Sequence, residues 1–278
     1  MIVEKFKKCV ISLRDKCKWY SQMCSIKSNN LPILDADNNL EKCKLGKILV
    51  LVPHADDEWI GTSQVLMNNK DVEIYYFEFF GSNYKKENKL VRNVELQMLC
   101  NKFNVKINTS EGYHSHEDAL IGLLSNNTYE TIFVPAFNDW HNEHREANYI
   151  LKKVFDNNED LRFKELYVYQ ISVPHSNRGQ LFYYPMKKKE LMFKRLIFNE
   201  YYKSQSNLPI LRFNIQDCLN VRNVKTVYSG ELYRVVKYKE WRLCLEKLDE
   251  YEDHIFSMYK SSINDVRKIR LLSNMYDV

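Results

Sequence analysis

Two short polar segments of this chain concentrate the residue types that bind metals and move protons. One is Pro53-His54-Ala55-Asp56-Asp57-Glu58; the other is Asn138-Asp139-Trp140-His141-Asn142-Glu143-His144-Arg145. On a strand-to-helix turn, two adjacent aspartates point in different directions, so one can bind a cation while its neighbour faces whatever that cation holds. His54, three residues before Asp57, can close back on the same ion. Imidazole with carboxylate suits zinc, which wants a third protein ligand and, in a catalytic site, keeps its fourth position open for water. His141 and His144 are both candidates: their i, i+3 spacing puts them on one side of a helix start, where one can ligate while the other meets a substrate. Each segment also has an ordinary explanation. The carboxylates at 56–58 would serve as a helix cap and first turn favoured by the helix dipole, and an isolated HxxH is a weak metal signal. Their joint occurrence outweighs this, because each segment follows its own buried strand.

Hydrophobic patterning supplies the elements that must position them. Residues 47–53 (KILVLVP) and 72–80 (VEIYYFEFF) are continuous apolar runs of strand length, as in parallel strands covered by helices on both faces. Between them, residues 58–67 have helical length with Trp59, Ile60, Val65 and Leu66 apolar, which makes a strand, helix, strand crossover. Helical spacing recurs over 89–103 through Leu90, Val94, Met98 and Leu99. A short strand follows at 131–135, a helix at 144–155, a strand at 166–172, and a long helix at 187–202 with Leu191, Phe193, Leu196 and Ile197 inward. The fold class is α/β, a mostly parallel sheet flanked by helices. Ligands of such sheets bind beyond the carboxyl ends of the strands, where both polar segments fall. His175, after the strand at 166–172, faces the same end and is a candidate substrate contact.

Three regions are expected: residues 1–45, an amphipathic helix and polar linker; 46–242, the main domain; and 243–278, a helical extension. The first carries apolar Ile2, Phe6, Val10, Leu13, Cys17, Tyr20 and Cys24 with basic residues between them. Such a helix ordinarily packs its stripe on its own domain; contact with an anionic membrane is the lesser alternative.

Composition removes other classes. The chain has 278 residues, a formal charge of +5 and 45% hydrophobic content, which is ample for a core and excludes disorder. Neither GxGxxG nor GxxxxGK[ST] occurs, so the commonest nucleotide-binding signatures are absent. The 7 cysteines include no CxxC pair and fit neither a zinc ribbon nor a disulfide framework. They read as reduced thiols, mostly buried, in a cytoplasmic protein. No apolar run reaches the roughly 18 residues needed to span a bilayer, and the start lacks a signal-peptide core. The charge is weak and no basic-aromatic binding module is present, so no nucleic-acid partner is expected.

The run ILVLVPHADDEWIG resembles the PHPDDE-x-x-G signature of the LmbE-like/PIG-L deacetylases, zinc-dependent enzymes that remove acetyl groups from N-acetylglucosamine-containing substrates. HNEH, residues 141–144, resembles that family's HPDH motif. Arg92-Asn93-Val94-Glu95 is similar to its RxxE helix, and KRLIFNEYYKSQ, residues 194–205, to its K-x-x-A-x-x-x-H-x-SQ helix. The resemblance spans about residues 46–240 and implies a Rossmann-like LmbE-like deacetylase fold. It also implies Zn2+ held by His54, Asp57 and His144, with Asp56 as general base. His141, protonated and held by Glu143, would donate to the tetrahedral oxyanion. Arg92 is the candidate for a substrate oxyanion or hydroxyl, against a plain surface pair with Glu95. Ala55 replaces the usual proline, Thr62, Ser63 and Gln64 stand where glycines are frequent, Glu143 replaces aspartate, and Tyr201 or Tyr202 falls near the expected histidine. None of these removes a zinc ligand.

The function implied is a metal-dependent amide hydrolase that removes an acetyl group from an N-acetylated amino sugar or its conjugate, whether glycan precursor, nucleotide sugar or glycoside. The alternative is a catalytically inactive carbohydrate- or partner-binding protein on the same fold. The sugar and the oligomeric state stay open.

Overall fold

Alternation along the central strands divides their side chains between two cores. Ile48, Val50 and Val52 enter one, and Leu49 and Leu51 the other, so this stretch needs helices on both faces. The computed structural model describes residues 2–80, 85–163, 165–248 and 253–276, with side chains from residue 13 onward. Its strands are β1 (Ile48–Val52), β2 (Val72–Tyr76), β3 (Lys106–Asn108), β4 (Thr131–Pro135), β5 (Glu165–Tyr169), β6 (Gln180–Met186) and β7 (Ser229–Lys237). They form one sheet in the order β3-β2-β1-β4-β5-β7-β6. The first five run parallel, and β7 is antiparallel to both β5 and β6. The architecture is therefore α/β with a mostly parallel sheet, as expected, with β6 and β7 as additional strands.

The helices are α1 (Ile2–Ser25), α2 (Asp57–Asn68), α3 (Lys86–Phe103), α4 (His116–Ser125), α5 (Asn142–Asn157), α6 (Lys188–Tyr201), α7 (Ile210–Asn220), α8 (Tyr238–Leu248), α9 (Asp253–Ser262) and α10 (Val266–Met275). One core takes α2, α3, α6 and α7; the other takes α4, α5 and α8. The expected boundary at 242/243 falls inside α8, whose Trp241 and Leu245 are fully buried. Among the described residues no helix is long and apolar enough to cross a membrane.

Several inward faces differ from the sequence reading. In α1 the buried residue is Trp19, which packs with Leu211, Ile215 and Val266, while Leu13 and Tyr20 are exposed; Ile2, Phe6 and Val10 lie outside the described side chains. In α3 the buried residues are Arg92, Glu95, Leu96, Leu99 and Cys100, with Leu90, Val94 and Met98 turned outward. Phe193 and Leu196 of α6 are likewise exposed. Polar residues took the inward face of α3 because it borders the candidate site. Cys17, Cys24 and Cys43 are free and exposed, against the expectation of mostly buried thiols; Cys100 and Cys244 are buried.

Candidate metal and catalytic site

Neighbouring parallel strands β1 and β4 end side by side, where the strand order reverses direction and open α/β sheets leave a crevice. After β1 the chain turns into α2, and after β4 into α5. Gly61 lets α2 lie this close: a Cβ there would stand 2.3 Å from the Tyr169 ring.

Asp57 Oδ2 accepts from the His54 backbone N–H at 3.0 Å and lies 3.0 Å from His54 Nδ1. From α5, His144 brings Nε2 within 3.3 Å of Asp57 Oδ2 and 3.3 Å of His54 Nδ1. Ligands about 2.0–2.1 Å from a tetrahedral ion lie roughly 3.3 Å from one another, so these three donor atoms have the spacing of a metal's open-sided ligand set. The outer nitrogens face carboxylates. His54 Nε2 is 3.1 Å from Glu143 Oε2, and His144 Nδ1 is 3.3 Å from Asp139 Oδ2 but out of line for a hydrogen bond. Metal-binding histidines ordinarily carry such a partner. A wider grouping of His54, His141 and His144 nitrogens falls within 4.8 Å.

The electrostatics favour positive charge at this point. Burial would raise the Asp57 carboxyl, yet His144 and His54 hold it far below the usual range. Burial likewise opposes charge on His144, but Asp57 and Asp139 raise it to about 10. A field of this sign suits a cation. The donor set thus fits a metal ion by spacing, ligand type and field.

Asp56 sits beside this set in an unusual backbone conformation, φ 131 and ψ −26. Its N–H donates to Glu58 Oε2 at 3.0 Å, and its Oδ2 accepts from Arg92 Nη2 at 2.9 Å. Arg92 also donates to the Ala55 carbonyl at 2.6 Å. The Gln205 amide, oriented with its oxygen toward the guanidinium, accepts from Nε at 2.5 Å and Nη2 at 2.9 Å. Tyr202 donates its hydroxyl to Glu58 Oε1. Burial pushes Asp56 up to about 7 against the pull of Arg92, with the Asp57 carboxylate adding to the rise. Glu58 is pushed up to about 8 by burial, with the Tyr202 hydroxyl pulling the other way.

His141 caps α5, its Nδ1 lying 3.0 Å from Glu143 Oε2, the oxygen that also faces His54. Burial and the adjacent His144 and His54 rings push His141 down to about 4. Burial and the neighbouring rings thus work against the protonated His141 that the resemblance implies.

The site brings together His54, Asp56, Asp57, His141, Glu143 and His144. Arg92 reaches it too, but its fork is spent on Asp56, Ala55 and Gln205 rather than offered to a substrate. Its expected surface partner Glu95 instead accepts from Ser204 N–H at 2.8 Å and Oγ at 2.5 Å. His175 is turned inward: its ring bonds the Val168 carbonyl at 2.8 Å and its N–H donates to Gln170 Oε1 at 3.0 Å. Ser63 and Gln64 do not line the crevice either; Ser63 Oγ and the Gln64 N–H bond the buried Glu231 carboxylate. Sequence reasoning assigned no role to Asp139, although a carboxylate just ahead of an HxxH is a signal for a histidine partner. Glu58 carried no signal beyond its place in the acidic run. Of the two tyrosines near the expected histidine, Tyr202 is the buried one.

No protein-family model matches the chain, and no curated protein does. Solved structures do match. The A40926 pseudoaglycone deacetylase Dbv21 is 11% identical with a TM-score of 0.52, covering 70% of this chain and 99% of its own. A triple mutant of a deacetylase involved in the teicoplanin biosynthetic pathway is 12% identical with a TM-score of 0.52, covering 70% and 100%. The N,N'-diacetylchitobiose deacetylase from Pyrococcus horikoshii is 17% identical with a TM-score of 0.50, covering 73% and 88%. The chain has the fold of these deacetylases.

Proposed function

We propose that this protein is a zinc-dependent N-deacetylase that removes the acetyl group from an N-acetylated amino sugar or its conjugate. The chemistry lies within residues 46–242. The observation that carries the reading is the triangle of His54 Nδ1, Asp57 Oδ2 and His144 Nε2, with edges of 3.0, 3.3 and 3.3 Å, next to a buried carboxylate held by an arginine. The amino-sugar substrate draws on the N,N'-diacetylchitobiose deacetylase that shares the fold. The tighter triangle is preferred over the three-imidazole set because a small ion needs its ligands within roughly 3.3 Å of one another.

An acetamide resists hydrolysis because its carbonyl is a poor electrophile and its leaving amine is strongly basic. The site must therefore activate water and protonate nitrogen. His54, Asp57 and His144 would hold the zinc ion, which when bound would supply Lewis-acid activation of water and carbonyl. Asp56 does the proton work. Arg92 engages Oδ2, leaving Oδ1 to take the proton of the attacking water and return it to the amine nitrogen, and a base poised near neutrality is matched to both transfers. Glu143 orients His54 with one oxygen and shares it with His141, which faces the developing oxyanion as a donor. Negative charge on that oxygen offsets the burial that disfavours the imidazolium.

Metal analysis of the purified protein, followed by acetate release from a panel of N-acetylhexosamine derivatives, tests the reading. Asp56→Asn is expected to keep its zinc and lose turnover. Zinc-free protein that releases acetate from no derivative would overturn the proposal and favour a binding protein on the same fold.

A further inference from the structure

The outward faces of α3 and α6 are apolar, which is the opposite of what solvated helices need. Leu90, Val91, Val94 and Met98 project from α3, with exposures of 47% to 59%. Met192, Phe193 and Leu196 project from α6. The two helices pack against each other and share one core layer, so their outer faces form one surface. Scattered exposed leucines are ordinary, but a contiguous patch of this kind marks a contact surface.

Charge says which contact. Lys85 and Lys86 stand at the start of α3, and Lys187, Lys188 and Lys189 at the start of α6, with Arg195 in its middle; all are exposed. The carboxylates at the surface of the two helices are Glu87, Glu190 and Glu200. A second copy laid on this face would set lysines against lysines, which disfavours a self-association surface. An anionic lipid surface complements both features: apolar side chains enter the acyl boundary while cations meet headgroups.

Beside the patch, a cavity of about 510 Å³ opens between α6, α7 and α1. Leu191, Ile215 and Leu219 line it, and so do the cations Lys188, Arg195, Arg222 and Lys225. Its polar Asn214 is buried with Oδ1 unpartnered. No described carboxylate pairs with Lys188, Arg195 or Lys225. An apolar cleft ringed by cations is built to take a chain end below an anionic head.

We propose that the α3 and α6 face, with this cleft, docks the protein on anionic lipid membranes. Docking lies in the interface plane and involves no spanning helix. It stands whether or not the protein is a deacetylase.

The test is co-sedimentation of the full-length protein with phosphatidylcholine vesicles, with and without phosphatidylserine. Binding to the phosphatidylserine vesicles is expected to be about tenfold or more tighter than to the neutral ones and to weaken as salt rises. Met192→Gln with Leu196→Gln, and separately Lys188→Glu with Lys189→Glu, should each lower it about tenfold. Leu243→Gln, which alters an exposed leucine on α8, should leave it unchanged. Circular dichroism and thermal melts check that every variant is folded. Failure to bind phosphatidylserine vesicles at low salt overturns the proposal. So does equal loss from Leu243→Gln. Light scattering that finds a dimer abolished by Met192→Gln with Leu196→Gln would assign the face to a second copy instead, and would equally overturn it.

Discussion

His175 should make the protein lose stability in mild acid, through a ring that the sequence offered as a candidate substrate contact. Burial, with Arg234 and Arg270 adding to it, pushes His175 from 6.5 down to about 3, although its bond to the Val168 carbonyl pulls the other way. In the folded protein it is neutral across the working range. The unfolded chain takes up a proton below pH 6.5, so between these two values the unfolded state binds more protons and stability falls as pH falls. Above pH 6.5 the contribution is fully present. At about 1.4 kcal/mol per unit, the loss reaches about 2 kcal/mol at pH 5 and about 4 kcal/mol by pH 3. Other groups titrate in the same window, so the measurement is a difference. Urea denaturation from pH 7.5 to 4.5 is compared between the wild type and His175→Gln, whose amide keeps a donor for Val168 but does not titrate. The wild type should steepen relative to the variant by about 2 kcal/mol between pH 7 and 5. Parallel curves would refute the buried, neutral assignment. If His175→Gln also raised KM severalfold without changing stability, the residue would belong at the substrate after all.

Arg92→Leu should lower kcat about 10-fold to 100-fold with KM within about twofold, because the guanidinium holds Asp56 and not the substrate; a large rise in KM at unchanged kcat, in acetate-release kinetics, would reverse that. Tyr202→Phe takes the hydroxyl donor from buried Glu58 and should cost about 1–3 kcal/mol in urea denaturation, so an unchanged midpoint would remove Tyr202 from the support of the site. Lys194 is fully buried and donates to Asp217 Oδ2, Glu231 Oε1 and the Ile60 carbonyl at 3.0, 2.8 and 2.7 Å. Lys194→Met should therefore cost about 3–5 kcal/mol, unless Asp217, already pushed up to about 7 by burial, absorbs the change by taking a proton; a cost below that of Tyr202→Phe would show that it does.

What the sequence revealed followed from short-range physics. The runs at 48–52 and 131–135 could only be buried strands, and the residues right after each strand end had to share one crevice. That is why His54 and Asp57 could be paired across the chain with His141 or His144 from residue types and spacing, while the choice of His144 between the two came only with the family resemblance. Helix faces were less legible. In α3 the apolar stripe Leu90, Val94 and Met98 has a regular i, i+4 spacing, yet it points outward while Arg92 and Glu95 are buried. Periodicity assumes that the apolar side is the inner one, and it fails where an inner side is polar because it serves a site and an outer side is apolar for contact. His175 failed for a related reason. Its position after a strand end was read correctly, but the direction of its ring depended on the Val168 carbonyl and on Arg270, which donates to the His175 carbonyl at 2.7 Å from 95 residues away. No local pattern carries that.

Asp56 explains why distant helices belong to the same constellation as the two loops. A non-glycine residue at φ 131 costs on the order of 1–3 kcal/mol and persists only where its surroundings over-determine it. Here three elements do so. Glu58 in the first turn of α2 takes the Asp56 N–H, Arg92 from α3 takes its carboxylate and the preceding carbonyl, and the turn after α6 backs both, through Tyr202 on Glu58 and Gln205 on Arg92. An extended conformation at Asp56 would swing its carboxylate away from the neighbouring His54 and Asp57, so the proposed base and the proposed metal ligands could not face one point from adjacent residues. The RxxE-like and SQ-like segments therefore act on the candidate base, through hydrogen bonds that keep a strained residue in place. Where a tyrosine replaces the histidine otherwise expected near that turn, the requirement is a buried donor to Glu58, and a phenol meets it without adding a charge.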